Sequence, residues 1–348
     1  MNEQSADTNV ALNECDVTII IKALNEENYI ENSILSAFSA LKNLNGEVIL
    51  ADSISTDRTI EIATRHPVRI IQLAHPQERS CGAGPQLGYQ EAKGAFLYIL
   101  DGDMQLQPDF IEYGIELMNQ QQDIAGVAGI VSEKGTGNYE FKVRKDTHTT
   151  WKEEGEQTCL EMGGLYRREA IDSVGYFSNR NLHAFEELEL GLRLKHKGWR
   201  LLRTEKPSVI HYGETSGSYQ LIRSRWRSRY IDGSGEIVRA AIGQPYFLDI
   251  TRDRLNVIVM ASLFLFVVAT LVVIPISILP LLLSGGMIGM VIVFMCIRQR
   301  SIRHGLIGAS LWPVKIAGFF RGLLRKQIDP TIAISSKIIA TGSSENLS

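Results

Sequence analysis

The sequence has few cysteines, almost no net charge and no apolar segment near its start. Its four cysteines lack the paired spacing of a zinc site or a disulfide framework, which suits a reducing compartment. A formal net charge of −3 gives no general affinity for nucleic acid, so we expect no nucleic-acid partner. Residues 1–16 are polar and acidic without the apolar core of a signal peptide, and they predict a polar N-terminal tail.

Charged residues and histidine are also missing from one long apolar run, residues 255–297. A membrane-spanning helix needs about 20 apolar residues, so this run has room for two spans. Pro275, Pro280 and residues 284–286 offer positions where the chain can turn. The sequence therefore predicts a C-terminal transmembrane helical hairpin, because the run is too long for one core helix of a soluble domain.

Arginines flank this run on both sides, at Arg252, Arg254, Arg298, Arg300 and Arg303. Cationic residues at both ends place both ends of a hairpin in the cytoplasm. We therefore expect a multi-pass protein of the cytoplasmic (inner) membrane whose catalytic domain, residues 17–245, faces the cytoplasm. Residues 298–348 are expected to hold an interfacial helix at 311–324 and a polar tail.

The soluble part alternates between strand and helix patterns. Residues 17–21 form a β-branched run, which is typical of a strand buried on both faces of a parallel sheet. Three further apolar runs, at 47–51, 68–73 and 95–100, are separated by helical spacing or by turn residues. This rhythm predicts an α/β fold with a doubly wound, mostly parallel sheet.

Polar side chains follow the predicted strand ends. Ligands of such sheets bind beyond the carboxyl ends of the strands, so Asn25, Asp52 and Asp101 are expected to gather at one edge. Asp101 and Asp103 point the same way in an extended chain and can share one cation, or they are solvated carboxylates of a turn. Their oxygens favour Mg²⁺ or Mn²⁺, which would bind a diphosphate, and His211 can complete the metal site.

Other residues near the strand ends have more than one interpretation. Asp52 can accept a hydrogen bond from a nucleobase or ribose, whereas Asp57 suits a helix cap. Asn25 can cap the helix after the first strand, with Glu26 in its first turn. Residues 82–88 lack the ending of a nucleotide-triphosphate loop, and we expect a Gly-rich tight turn whose backbone approaches a ligand.

Two charged clusters further along also allow a structural and a functional interpretation. Glu186 and Glu187 begin a predicted helix, where the macrodipole stabilises acids; alternatively, one of them is the general base for an acceptor hydroxyl. Arg223, Arg225, Arg227 and Arg229 surround Trp226 just before the apolar run. They face anionic lipid headgroups, or they bind a diphosphate or a lipid-linked phosphate.

In their order along the chain, these motifs resemble the family 2 glycosyltransferases from about residue 17 to residue 212. The matching segments are Leu-Asn-Glu-Glu at 24–27, Ala-Asp-Ser-Ile-Ser-Thr-Asp-Arg-Thr at 51–59, residues 88–94, Leu-Asp-Gly-Asp at 100–103, Gly-Gly-Leu-Tyr-Arg-Arg at 163–168 and Glu-Glu-Leu-Glu-Leu-Gly-Leu-Arg-Leu at 186–194. The resemblance implies a GT-A fold and an inverting transferase that uses Mn²⁺ or Mg²⁺ and a UDP- or GDP-linked sugar.

The resemblance also implies roles for single residues. Asp52 would contact the base of the donor, while Asp101 and Asp103 would hold the metal and the diphosphate. Glu187 aligns with the catalytic base, and Glu186 is the alternative because this position is more often Asp in the family. The other donor-side candidates are Asn25, Glu26, Gly84 and Gln86, and the acceptor-side candidates are Gly163, Gly164, Arg223, Arg225 and Trp226.

These features together predict a glycosyltransferase whose acceptor is lipid-linked or a glycan precursor at the membrane. The Gln-x-x-Arg-Trp element of processive polysaccharide synthases is not matched, which argues against such a synthase. One alternative is an inactive membrane-anchored subunit that binds nucleotide sugars. Another is a sugar nucleotidyltransferase, although it would need a Gly-rich, basic loop where this chain has residues 25–27.

Overall fold

The computed structural model of the chain describes residues 15–134, 154–213, 218–273, 279–298 and 301–342. Most of the predicted N-terminal tail, the predicted turn position Pro275 and the flanking Arg300 lie outside the described residues. The described strands are β1 (Val17–Ala23), β2 (Gly46–Asp52), β3 (Arg69–Leu73), β4 (Phe96–Asp101), β5 (Met104–Leu106), β6 (Ile124–Glu133), β7 (Gly155–Gln157), β8 (Gly164–Arg167), β9 (Arg200–His211) and β10 (Ser336–Thr341).

Helices cover both faces of the sheet and then continue beyond it. The described α-helices are α1 (Ile30–Ala40), α2 (Thr59–Ala63), α3 (Ala83–Glu91), α4 (Phe110–Gln120), α5 (Arg168–Asp172), α6 (Glu186–His196), α7 (Ser218–Arg227), α8 (Gly233–Ala241), α9 (Phe247–Asp253), α10 (Leu255–Val273), α11 (Leu279–Arg298), α12 (Ile302–Ser310) and α13 (Trp312–Leu324). Alternate residues of β1 serve the two layers, since Ile19 and Ile21 pack with α1 and α4, and Ile20 packs with α3 and α6.

The first half of the sheet follows the predicted parallel pattern, whereas the second half is mixed, since β6 runs parallel to β9 while β5 and β7 run antiparallel to it. The strand order is β10-β3-β2-β1-β4-β8-β6-β9-β5, with β7 beside β9. β1 runs parallel to β2 and β4, and β2 runs parallel to β3. β8 is antiparallel to β4 and β6, so the prediction of a mostly parallel sheet is wrong for this part. Antiparallel neighbours need no crossover helix, which is why the strand–helix rhythm fades there.

The predicted Gly-rich turn at residues 82–88 is instead the start of α3. Its glycines allow close packing, because a Cβ on Gly88 would lie 2.2 Å from Ile20 Cγ2 and one on Gly82 would lie 2.0 Å from the carbonyl oxygen of Asn179. The prediction was wrong because glycine serves close helix–strand contact as well as turns.

The apolar run forms α10 and α11, whose large side chains are exposed. Val259 is 55% exposed and Met290 is 73% exposed. Within the described ranges, no single helix is both long and apolar enough to cross a membrane. Phe247–Asp253 and Leu255–Thr270 reach that length together but are bent by 75°, and Leu282–Ile297 is a shorter apolar helix.

After the apolar helices the chain returns to the sheet and its helices. α13 corresponds to the predicted interfacial helix and packs against α8, where a Cβ on Gly235 would lie 1.9 Å from the carbonyl oxygen of Phe319. Arg321 donates to both carboxylate oxygens of Asp232, at 2.6 and 2.7 Å. β10 then covers the exposed edge of β3. The last described segment therefore packs on the sheet domain and adds an edge strand to its sheet.

Candidate active site

A cleft of about 610 Å³ opens at the carboxyl ends of β1 and β4. Lys22, Asp101, Asp103 and His211 all line it. Strand register explains their convergence, since Lys22 lies opposite Asp101 between β1 and β4, and His211 lies opposite Met104 between β9 and β5. The structure thus brings together the carboxylates and the histidine that the strand-end argument singled out.

Lys22 places an ammonium group among the carboxylates. Its Nζ lies 2.9 Å from Asp101 Oδ1 and 3.9 Å from Glu186 Oε1. Burial disfavours the charged form, but the negative charges of Glu186 and Glu187 outweigh burial and raise the pKa of Lys22. Lys22 therefore stays cationic. The motif-based prediction missed it, although a single lysine within a buried β-branched strand was a usable signal.

His211 joins two carboxylates at the same edge of the sheet. Its Nε2 lies 3.2 Å from Asp103 Oδ2, and its Nδ1 lies 3.2 Å from Glu133 Oε1. Burial disfavours the imidazolium, but hydrogen bonds to Asp103 and Glu133 raise the pKa of His211 to about 9. In this arrangement the imidazole is a cation that balances the two carboxylates.

The carboxylate oxygens and imidazole nitrogens of this cleft are suitable ligands for a divalent cation, but they do not surround one common position. Among the residues that the structure describes, no three His, Cys, Asp or Glu side chains are grouped closely enough to hold a metal. Asp101 Oδ1 is a buried atom, and the Lys22 ammonium lies 2.9 Å from it. Two carboxylates and an imidazole suit Mn²⁺, and the oxygens alone suit Mg²⁺. The metal assignment therefore stays a prediction.

Glu186 and Glu187 stand at the first turn of α6, as predicted. Together with Lys22 they line a small cavity of about 10 Å³ beside the main cleft. Burial raises the pKa of Glu187 to about 8, in spite of the Lys22 charge, and the charge of Glu186 adds to the rise. A carboxylate with its pKa near neutrality is suited to accept a proton in catalysis.

The residue before this acidic pair has a strained backbone. Phe185 takes φ +70°, in the left-handed region that an aromatic residue rarely adopts. Such a conformation costs about 1–3 kcal/mol and persists only where the surroundings fix it. This residue directly precedes α6, whose Glu186 and Glu187 both interact electrostatically with Lys22.

Asn25 ties the loop after β1 to the loop after β2. Its φ is +62°, and its Oδ1 accepts a hydrogen bond from the backbone N–H of Thr56 at 2.7 Å. The prediction that Asn25 caps the next helix is wrong, since α1 begins at Ile30 without a side-chain cap. Asparagine tolerates the left-handed conformation, which turns its side chain toward the neighbouring loop. Its contact with a donor stays a prediction.

Asp52 lies below the surface of the cleft rather than on it. It is fully buried, and its carboxylate accepts hydrogen bonds from the backbone N–H of Ser55 at 3.0 Å and from Gln72 Nε2 at 2.8 Å. Ser53, the next residue, lines the cleft. Contact between Asp52 and the base of a donor stays a prediction.

The other predicted donor residues are divided between cleft and core. Glu26 and Gly84 line the cleft. Gln86 is buried, and its Oε1 accepts hydrogen bonds from the backbone N–H groups of Phe177 and Ser178, both at 3.0 Å. Gln86 therefore holds the segment before α6 in place.

The predicted acceptor residues lie outside the immediate cleft. Gly163 and Gly164 are next to β4, where Gly164 pairs with Ile99. Arg223 is exposed, Arg225 stacks on Tyr230 at 5.0 Å, and Trp226 stacks on Arg321 at 4.1 Å. The cleft is lined instead by the residues that follow them, at 227–230. These lining residues include Arg227 and Arg229 of the same arginine cluster, and the acceptor-side assignment stays a prediction.

Comparison with solved structures agrees with a GT-A fold. The chain resembles mannosyltransferase PcManGT from Pyrobaculum calidifontis, solved in complex with GDP-Man and Mn²⁺, with a TM-score of 0.55 and 15% identity. The match covers 89% of this chain and 88% of that one. At this identity the likeness concerns the fold alone.

Residues 18–175 match the family model of glycosyl transferase family 2. The chain is 31% identical over 113 residues to the dolichol-phosphate mannosyltransferase of Pyrococcus furiosus, covering 31% of this chain and 32% of that protein. It is 29% identical over 212 residues to the succinoglycan biosynthesis protein ExoA of Rhizobium meliloti, covering 56% of this chain and 62% of that protein. The chain thus matches about a third of the length of the first relative and under two thirds of the length of the second.

The burial of Asp52 leads to a stability prediction. Asp52→Asn is expected to lower the free energy of unfolding by about 1–3 kcal/mol, because an amide NH₂ would face the donors of Ser55 or Gln72. Urea denaturation measures the change, and Asp109→Asn at an exposed position is the matched control. Equal denaturation midpoints for both variants would contradict a structural role for Asp52.

Proposed function

We propose that this protein is a membrane-associated, inverting glycosyltransferase that moves a sugar from a nucleoside-diphosphate sugar to a hydroxyl group of a lipid-linked or glycan acceptor. The observation that supports it best is the meeting of Asp101, Asp103 and Lys22 in one cleft, beside Glu187 with its raised pKa. This combination offers groups for a diphosphate and a base for a hydroxyl.

The diphosphate end of the reaction is assigned to the β1 and β4 strand ends. Asp101 and Asp103 would hold Mn²⁺ or Mg²⁺, with His211 as the third ligand and Glu133 orienting its imidazole. A bound divalent cation would supply positive charge to the leaving diphosphate. Lys22 is a fixed cation in the same place, and it stabilises negative charge that develops on the leaving group.

The acceptor end of the reaction is assigned to α6. Glu187 takes the proton from the acceptor hydroxyl as its oxygen bonds to the anomeric carbon and the bond to the diphosphate breaks. This single displacement inverts the anomeric centre. Glu186, whose carboxylate lies 3.9 Å from Lys22, is the alternative base.

The relatives suggest which donor to test first. The Pyrococcus furiosus relative is named a mannosyltransferase, and the Pyrobaculum calidifontis structure contains GDP-Man and Mn²⁺. We therefore place GDP-mannose with Mn²⁺ first among the donors, with UDP-linked sugars as the alternative.

The reaction class leads to a direct test. Detergent-solubilised protein is expected to release nucleoside diphosphate from one nucleotide sugar with Mn²⁺ or Mg²⁺, and EDTA should abolish the release. Asp103→Asn should lower turnover by about 100-fold or more, because stabilisation of the leaving group is lost, whereas Asp109→Asn should not. Equal turnover of Asp103→Asn and the unaltered protein would refute the metal assignment. Nucleotide binding without turnover on any acceptor would favour an inactive binding subunit.

The raised pKa of Glu187 leads to a pH prediction. A general base must be deprotonated, so kcat/KM is expected to rise with pH and to level off above about 8. Glu187→Gln should remove this limb and lower kcat/KM by about 10²–10⁴-fold. Glu186→Gln is the matched comparison and should keep the limb. If the limb survives in Glu187→Gln and disappears in Glu186→Gln, Glu186 is the base.

Membrane attachment is proposed to occur through α10 and α11. Their exposed side chains, such as those of Val259 and Met290, form an apolar surface that water does not favour. The arginines on both sides of the run are consistent with attachment from the cytoplasmic face. An acceptor that also resides in the membrane would reach the cleft from this side.

This attachment is tested by fractionation. The full chain is expected to stay with membranes during alkaline carbonate extraction. The double variant Val259→Lys and Met290→Lys should be released, because a lysine at the centre of a span costs about 2.5–3.5 kcal/mol. Leu35→Lys, at an exposed position on α1, is the matched control and should stay bound. Release of the unaltered chain by carbonate would disprove insertion.

A further inference from the structure

A buried ionic cluster holds the loop that leads into α6. His183 is 4% exposed and lines the cleft, and Glu236 of α8 is 2% exposed. One oxygen of Glu236 accepts a hydrogen bond from the backbone N–H of His183 at 2.9 Å, and the other lies 2.9 Å from His183 Nδ1. Arg325 Nη1 donates to this second oxygen, also at 2.9 Å.

The hydrogen bonds of this cluster are mutually consistent for one form of His183. A guanidinium only donates, so an imidazole nitrogen bonded to Arg325 must accept. With its proton on Nδ1, His183 donates to Glu236 and accepts from Arg325 Nη1 through Nε2, at 3.2 Å. The 2.9 Å approach of the same Nη1 to Nδ1 is then a contact without a hydrogen bond. Arg325 thus completes the cluster and balances the buried charge of Glu236.

The clamped loop leads directly to the candidate base. Phe185, two residues after His183, holds the strained left-handed conformation that starts α6. The guanidinium of Arg254 lies 4.0 Å from the centre of its ring. On the other side, a Cβ on Gly233 would lie 2.6 Å from Ala184 Cβ, so α8 packs tightly on the loop. These contacts are what keep a strained conformation in place.

The two cations, Arg254 and Arg325, lie at the two ends of the C-terminal helical segment α10 to α13. Arg254 directly precedes α10, and Arg325 directly follows α13. The position of Arg325 is set by the packing of α13 on α8, where a Cβ on Gly322 would lie 2.2 Å from the carbonyl oxygen of Asp232. The packing of the C-terminal helices on α8 therefore positions Arg325, and through Arg325 it affects the loop before α6.

We propose that Arg325 is a positioning residue which, through Glu236 and His183, fixes the loop before α6 and so the direction of Glu187. The inference rests on the proposed role of Glu187 as general base. Arg325 touches no reacting atom in this scheme. Arg325 maintains the orientation of the Glu187 carboxylate. Turnover therefore depends on the segment that follows the apolar helices.

Hydrogen exchange of the full chain in detergent tests whether the cluster of His183, Glu236 and Arg325 holds the loop, and it needs no sugar donor. Arg325→Ala is expected to speed the exchange of amides 183–187. Gln90→Ala is the matched control, because it removes two hydrogen bonds to Ile334 of the same C-terminal segment without touching the cluster. It should leave amides 183–187 unchanged. Unchanged exchange in Arg325→Ala, or equally faster exchange in both variants, would overturn the proposal.

Turnover kinetics test the consequence. Arg325→Ala should lower kcat by about 10- to 100-fold, because a misplaced base loses alignment, with a smaller change in the KM of the donor. Arg325→Lys should recover part of the loss, since an ammonium can still donate to Glu236, and it carries the test if the alanine variant does not fold. A loss confined to KM would overturn the proposal. If the unaltered protein shows no turnover, the proposed function fails, and the exchange experiment still decides the clamp.

Discussion

The charge balance around the Lys22 ammonium is the interaction on which the candidate site depends. A unit charge pair about 4 Å apart near a protein surface interacts by about 4 kcal/mol, so a cluster of carboxylates without a cation would repel itself strongly. Lys22 stands at the end of β1, where it meets Asp101 and faces Glu186 and Glu187. Burial raises the pKa of Glu187 while the charge of Lys22 opposes that rise, and the net result is a pKa of about 8.

The parts of the fold that follow local rules were predictable from the sequence. β1 to β4 appear where apolar runs end in polar residues, and their parallel pairing brings Asp101 close to Lys22. The later strands were not predictable in the same way. Their order depends on partners far apart in sequence, as when β6 runs parallel to β9 and β10 pairs antiparallel with β3. The prediction of a tight turn at residues 82–88 was wrong for a similar reason. Glycine is needed at Gly88 because Ile20, on another element, packs closely against it.

The candidate site shows the same division between local and distant causes. Asp101, Asp103 and His211 could be predicted because each follows a strand, and strand ends share one edge. Asp52 also follows a strand, but Gln72 from β3 binds its carboxylate and draws it into the core. His183 gave no sequence signal, because its partners Glu236 and Arg325 lie far along the chain. Patterns of spacing cannot reveal such partners.

The acids of α6 show why environment, rather than residue type, decides their roles. The helix macrodipole alone would treat Glu187 and Glu189 alike, as two acids in a first turn. Glu189 is fully buried, yet Arg193 donates to both of its oxygens, at 2.9 and 3.0 Å, and Tyr176 adds a hydrogen bond at 2.6 Å. Its charge is satisfied, so it anchors the helix. Burial dominates at Glu187 and raises its pKa. Two carboxylates two residues apart thus become a structural group and a candidate proton acceptor, a difference that only tertiary packing creates.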